Sequence, residues 1–423
     1  MPEVKALKKK PTTTKLCDIK DQFITRVTNK AADGDYGEVV VLFDEWREES
    51  LKEKTRAKRA EGKGNVTTGF DMHDDMCLKK TSMADLLATN QSKTQMASYL
   101  AKGLINHYRG NTYVKVVVSY SSKVCTNQPH VMEDDFTSHG HEEADTQIPL
   151  HVLRVLREST YKHIDVFSPD TDVLVLLIDL VSRGHIGALT NIILHAGKYN
   201  SPKDIDVVQR VHALGKRKAQ GLIGFHNFTG SDYGGKFVGI TKMTWCKAYF
   251  TLEDDDPILD AFDFLGSFSS QQCCPDANGD FTERAQPLEK FTCMVYDKEA
   301  PSTLPEARFY LWSTKSRECE NLPPCRATLG PHIQRTNYVC KVFKSYKLVH
   351  PYLPDLIDNG WIRDESDVLL PVHCLNPPAP KSFLEMVKCG CKKGDCSKNT
   401  CTCRKNDVPC TSLCKCPEDC TNC

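Results

Sequence analysis

The stretch that most constrains this chain runs from His141 to Asp172. It opens on Glu142-Glu143-Ala144-Asp145 and closes on Ser168-Pro169-Asp170-Thr171-Asp172. Between them lie apolar residues at helical spacing (Ile148, Val152, Leu153, Val155, Leu156), then the strand-like run His163-Ile164-Asp165-Val166-Phe167. Such a helix–strand unit brings two carboxylate pairs to one end of a sheet, outside the carboxyl ends of the strands, where α/β folds place ligands. Acids gathered there repel one another at neutral pH unless cations neutralise them.

Other segments extend the alternation. Residues 16–30 carry an amphipathic helical pattern (Leu16, Ile19, Phe23, Ile24, Val27), and Glu38 to Phe43 form a β-branched run followed at once by Asp44. Asn90 is placed to cap a helix reaching about Tyr108, and Tyr113 to Tyr120 and Asn191 to His195 supply further strands. Strands alternating with helices predict βαβ units and a mostly parallel sheet. Pro149 lies too near Asp145 for an undistorted helix unless it occupies the first turn. From Ser201 the chain reads as helical and basic, up to the glycine-rich turn at Gly230–Gly235. Residues 288–378 mix short pieces with many prolines and suggest no chemistry.

With 423 residues, 40% of them apolar, the chain has material for two or three domains. The formal net charge is zero, so a nucleic-acid or membrane partner has to be argued from local patches. Met1 to Lys15 lack the apolar core of a signal peptide, and the longest apolar run, Val173 to Val181, is far short of the ~20 residues that span a bilayer. A soluble, intracellular protein with no membrane partner is expected.

Singly, each acid has a structural explanation. Asp170 and Asp172 suit a helix cap, Glu143 and Asp145 a first helical turn, and Asp232 a glycine turn. The charged stretch Arg47 to Lys63 suits a solvated helix face. The histidines beside the first acid pair, His139 and His141, suit surface or supporting positions better than metal ligation.

Taken together and in order, Phe43-Asp44, Glu143-Ala144-Asp145, Ser168-Pro169-Asp170-Thr171-Asp172 and Gly230-Ser231-Asp232-Tyr233 with Gly239-Ile240 resemble the flap-endonuclease branch of the PIN-like 5′ nucleases, over about residues 16–265. The resemblance implies a PIN-like α/β fold, a mostly parallel sheet flanked by helices with a helix-turn-helix region. It further implies two Mg²⁺ or Mn²⁺ ions on Asp44, Glu143, Asp145, Asp170, Asp172 and Asp232, and catalytic cations at Lys52 and Arg59. Gly234, Gly235, Lys236, Gly239, Ile240 and Lys242 would grip a duplex backbone. This chain has Glu45 where that family has glycine and Asp145 where it has glutamate, and nothing in residues 1–32 reads as the strand with which the family opens.

Ten of the 21 cysteines crowd into the last 35 residues. Thiols this dense cannot build an ordinary core, so folding there needs metal, and zinc suits best as a thiophilic, redox-inert, tetrahedral ion. The spacing of Cys389, Cys391, Cys396, Cys401, Cys403, Cys410, Cys414, Cys416 and Cys420, with Lys392-Lys393 after the first pair, resembles a tesmin/TSO1-like CXC domain. The resemblance implies about three zinc ions on nine cysteines, hence bridging thiolates, and DNA contact through lysines such as Lys392 and Lys393. The expected division is 1–266 nuclease-like domain, 267–287 linker, 288–380 region of unassigned role and 381–423 zinc domain. Two functions follow: a nuclear, metal-dependent, structure-selective nuclease tethered to DNA or chromatin, or an inactive DNA- or protein-binding module whose zinc tail carries the function.

Overall fold

The computed structural model describes residues 13–46, 70–79, 81–129, 136–187, 190–198, 201–230, 235–376, 387–392, 396–398, 400–411, 414–417 and 420–422. It divides into two compact units, residues 1–372 and 373–423.

The first unit is mixed α/β, with small mixed sheets rather than one mostly parallel sheet. Helix α1 (Leu16–Asp33) buries Leu16, Ile19, Phe23 and Ile24 and packs on α2 (Asn90–His107), which Thr89, not Asn90, caps by accepting the Ser92 amide. Strand β1 (Glu38–Leu42) pairs parallel with β2 (Lys115–Tyr120), and β3 (Lys123–Thr126) adds antiparallel to β2. Every residue of β2 is buried, as befits a strand covered on both faces. Val116 and Val118 join the α1–α2 core, while Val117 packs with Phe136 and Leu150 on the opposite face.

A second sheet repeats the plan. Helix α3 (Ala144–Glu158) leads to β4 (His163–Phe167), then α4 (Thr171–Ser182) crosses over to β5 (Asn191–Lys198), parallel to β4. β6 (Ser201–Asp206) returns antiparallel, so the chain after Ser201 begins as a strand rather than the expected helix. Helices α5 (Val207–Leu214) and α6 (Lys216–Phe228) follow it. Pro149 falls beyond the first turn of α3 and cannot donate to the Asp145 carbonyl, yet the helix continues. Arg154, 1% exposed, holds α3 to the start of β1 by pairing with both Glu38 and Glu158.

The expected linker at 267–287 is not one. Phe268, Cys273, Phe281 and Ala285 are buried in the same core as α4 and α6. So are α9 (Gln286–Tyr296), α10 (Leu304–Ser313) and α11 (Arg326–Lys344), which follow α7 (Lys242–Phe250) and α8 (Pro257–Phe264). Residues 288–372 therefore belong to the first unit. Residues 229–241 connect α6 to α7, and 231–234 of them, within the expected helix-turn-helix region, lie outside the described residues. Helix α6 approaches α8 closely through Gly221 and Gly224; a Cβ on Gly224 would stand 2.0 Å from the Phe262 carbonyl oxygen.

Among the described residues β1 and β4 are the edge strands of their sheets, and they face each other across a cavity of about 570 Å³. Both end at the same acidic mouth, formed by Asp44, Glu143, Asp145 and Asp170.

Candidate metal centres

In the first unit, three of the sequence-nominated acids meet. Carboxylate oxygens of Asp145, Asp170 and Asp172 lie within 4.8 Å of one another. Each is fixed by a helix start. Asp145 sits in the first turn of α3; Asp170 caps α4 by accepting the Asp172 amide at 3.1 Å, which places Asp172 in that helix's first turn. Asp170 is thus both a helix cap and a member of the cluster, while Asp145 and Asp172 join it from first helical turns. Asp172 also bonds His226 Nε2 at 2.9 Å.

Asp44 stands beside the trio. Its Oδ1 accepts the Ala144 amide at 3.1 Å, and the Glu45 amide donates to the Glu142 carbonyl at 2.7 Å, so the end of β1 is tied to the start of α3. Glu143 is the residue that precedes α3 and lines the cavity mouth. Asp232, Lys52, Arg59, Gly234 and Lys393 lie outside the described residues.

Of the nominated phosphate-binding residues, Gly235, Lys236 and Gly239 are exposed and Ile240 is half-buried. Lys242 is turned inward: its ammonium donates to the carbonyls of His226 (2.5 Å) and Gly230 (3.1 Å), and burial lowers its pKa to about 8. The His226 carbonyl lies in the last turn of α6 and that of Gly230 just beyond it, where a cation is favoured by the helix dipole. His139 and His141 are buried rather than on the surface; His139 Nε2 lies 2.8 Å from Ser119 Oγ and His141 Nε2 2.7 Å from the Leu348 carbonyl.

Sequence reasoning passed over four groups near the cavity. Tyr36 reaches across it to bond Asp165, which His195 Nε2 also contacts at 2.7 Å. Burial raises the Tyr36 hydroxyl well above its ordinary value, and its bond to the Asp165 carboxylate adds to that. Burial opposes ionisation of Asp165, but the bonds from Tyr36 and His195 outweigh it and hold the carboxyl below its usual range. The only signal was a charged residue in the middle of a β-branched strand. His151, on α3, lines the cavity, is 3% exposed and has no hydrogen-bond partner on either ring nitrogen among the described residues; burial keeps it well below the ordinary histidine range.

Hard-cation chemistry fits the trio: oxygen ligands only, with Asp170 exposed so that retained waters have room.

The second unit carries soft ligands. Three groups of four sulfurs each lie within 4.8 Å: Cys389, Cys396, Cys401 and Cys410; Cys389, Cys403, Cys410 and Cys414; Cys396, Cys410, Cys416 and Cys420. Cys389 and Cys396 each serve two groups and Cys410 serves three, as bridging thiolates must. Cys391 stands outside these groups but packs against the cluster. Neighbouring sulfurs are separated by 3.9 Å (Cys389–Cys396), 3.7 Å (Cys389–Cys410), 4.0 Å (Cys401–Cys410) and 3.5 Å (Cys403–Cys414). Four sulfurs at about 2.3 Å from one tetrahedral zinc are about 3.8 Å apart, whereas a disulfide needs about 2.05 Å.

Backbone amides favour the thiolate form. The amides of Cys389 and Thr411 donate to Cys414 at 3.4 and 3.5 Å and bring that thiol down to about 6. The Asn422 amide does the same for Cys420, held at about 7. The dense cysteine cluster is thus able to hold metal ions, consistent with zinc. Lys392, Arg404, Lys405 and Lys415 are exposed around it.

No helix among the described residues is long and apolar enough to cross a membrane. No protein family, characterised protein or solved structure matches the chain.

Proposed function

We propose that Asp145, Asp170 and Asp172, with Asp44 and Glu143 at their edge, hold Mg²⁺ or Mn²⁺. On this reading the protein is a metal-dependent, structure-selective phosphodiesterase acting on nucleic acid in the nucleus. The observation that carries it is the meeting of three carboxylates, drawn from two helix starts, within 4.8 Å at the strand-end mouth of a cavity. Ions held there supply an activated water and neutralise charge on a phosphodiester. The protein's own part is positional. The α3 and α4 caps fix the ligands, and His226 orients Asp172. Lys52 and Arg59, in the basic stretch after Asp44, are the groups this reading assigns to phosphate charge. The zinc tail, through lysines such as Lys392 and Lys393, adds backbone-directed contact with DNA or chromatin.

The test is cleavage of 5′-flap, nicked and single-stranded DNA and RNA substrates by the full chain, with Mg²⁺, Mn²⁺ or EDTA. Metal-dependent cleavage that disappears in Asp170→Asn and Asp172→Asn supports the reading; cleavage unchanged by both substitutions refutes the assignment. A second reading is favoured by Lys242, whose ammonium is spent on internal carbonyls rather than held out for phosphate. In it the first unit is an inactive scaffold and the zinc tail alone binds DNA or protein. Salt-sensitive DNA binding without cleavage in any metal would decide for it.

A further inference from the structure

The cavity between the two sheets has the outline of a missing strand. In a parallel ladder, a residue directs its N–H and C=O to one neighbour and the next residue directs them to the other. The Gly37 carbonyl and the Phe43 amide bond to β2, so the odd-numbered residues of β1 face β2, and Glu38, Val40 and Leu42 face the cavity. The Asn191 amide bonds to the Lys162 carbonyl, and the Ser168 amide bonds to the His195 carbonyl. The even-numbered residues of β4 therefore face β5, and His163, Asp165 and Phe167 face the cavity. None of these six residues has a backbone hydrogen-bond partner on that side among the described residues. Two rows of backbone groups without strand partners, facing one another, form a template for polypeptide.

The two edges also run the same way. Gly37, before β1, lies against Tyr161, before β4, and both strands end at the acidic mouth. What joins them is a side chain: Tyr36 reaches over to Asp165. Apolar residues line both faces, Phe23, Val27 and Ala31 from α1, beside Arg26 and Lys30, and Ile148, Val152 and Val155 from α3. One buried polar group that lines this space, the His151 imidazole, has no hydrogen-bond partner among the described residues.

We propose that this slot is a strand-docking site: an extended, β-branched polypeptide segment of about five residues inserts between β1 and β4 and joins the two sheets into one. Only a peptide backbone offers alternating donors and acceptors on both of its edges, as β-augmentation requires. The apolar residues on both walls select aliphatic side chains in the segment, as in strands covered on both faces. Basic residues flank it, complementing Asp44, Glu143, Asp145 and Asp170 at the mouth. His151 gains a backbone or side-chain partner. The proposal does not depend on the metal reading.

The probe is a fluorescein-labelled peptide, Lys-Lys-Val-Ile-Val-Val-Ile-Lys-Lys, added to the full chain. Its control carries N-methyl groups on alternate residues, which keeps charge and hydrophobicity but removes one row of donors. Three results are expected. The parent peptide binds roughly tenfold or more tightly than the control, since the control loses a row of hydrogen bonds. The amides of Val40, Leu42, Asp165 and Phe167 gain protection from hydrogen exchange while those of Val39 and Val41 do not change. Val40→Pro, which removes a donor facing the slot and none facing β2, abolishes binding while far-ultraviolet circular dichroism stays unchanged. Equal binding of the N-methylated peptide makes the cavity a plain apolar pocket and overturns the proposal. Absence of binding by the wild-type chain overturns it too, as does concentration-dependent protection of the same amides without peptide, which assigns the slot to a second copy of the chain.

Discussion

Removing one charge from the acidic trio has a sign that depends on metal. Asp170→Asn keeps the α4 cap, because asparagine caps as well as aspartate, and so changes little besides charge. The Asp170 carboxylate lies within 4.8 Å of those of Asp145 and Asp172. At that separation two unit charges repel by about 0.9 kcal/mol in a water-like dielectric and by about 3.5 kcal/mol at an effective dielectric of 20. Asp170 is exposed, so the lower figure governs and salt trims it further. Without metal, Asp170→Asn is therefore expected to stabilise the first unit by about 1 kcal/mol. With metal the sign reverses: an ion at a hundred times its Kd stabilises the wild type by about 2.7 kcal/mol, and the variant forfeits most of that. The assay is thermal or urea unfolding at low salt in EDTA and in millimolar Mg²⁺ or Mn²⁺, with Ca²⁺ as a further hard ion. A variant less stable than wild type in EDTA, or one with an undiminished metal response, would show that these acids do not share an ion.

Other expectations are independent of that site. Cys410→Ser, at the sulfur shared by three groups, should cost the protein more bound zinc than Cys391→Ser, at one shared by none, as counted by elemental analysis. Burial, with Arg335 nearby, pulls His332 down to about 4 although its bond to the Phe228 carbonyl pushes the other way. It stays neutral in the folded protein while the unfolded chain takes up a proton near 6.5. Stability is therefore full above that pH and falls by about 3 kcal/mol as pH drops toward 4, and His332→Asn should flatten that slope in urea titrations. Gly224→Ala drives a methyl into the Phe262 backbone and should destabilise by about 3 kcal/mol or shift α8, read by circular dichroism melts.

What the chain shows in sequence is what local pattern determines. β1, β2, β4 and β5 are short β-branched runs, and α1, α2 and α3 have one apolar face each, so periodicity finds them. β6 escapes it because Ser201-Pro-Lys-Asp-Ile-Asp carries a single apolar side chain; its strand conformation comes from pairing with β5. Residues 267–287 look like a linker because Phe268, Cys273, Phe281 and Ala285 follow no period, and their burial depends on surfaces supplied by helices distant in sequence. The acids Asp145, Asp170 and Asp172 were legible because turns at strand and helix ends fix them locally. His226, Tyr36 and His151 were not: each meets its surroundings across elements whose packing angle no local pattern encodes.

The two features of the first unit bear on each other. Asp44 follows β1 and Asp170 follows β4, so acids on the two sides of the mouth hang from strands with no backbone bond to one another among the described residues. Their spacing is held by the α3 cap, by the Tyr36–Asp165 bond and by side-chain packing across the cavity. Carboxylates that must bind an ion with near-octahedral demands need placement finer than such contacts give. A strand seated between β1 and β4 would lock that spacing through two hydrogen-bond ladders and set its own end residue beside Asp44 and Asp170. The docked peptide should then tighten Mg²⁺ binding, and by linkage Mg²⁺ should tighten peptide binding by the same factor. Calorimetric titrations run in both orders measure that factor, and a value of one would separate the slot from the acids.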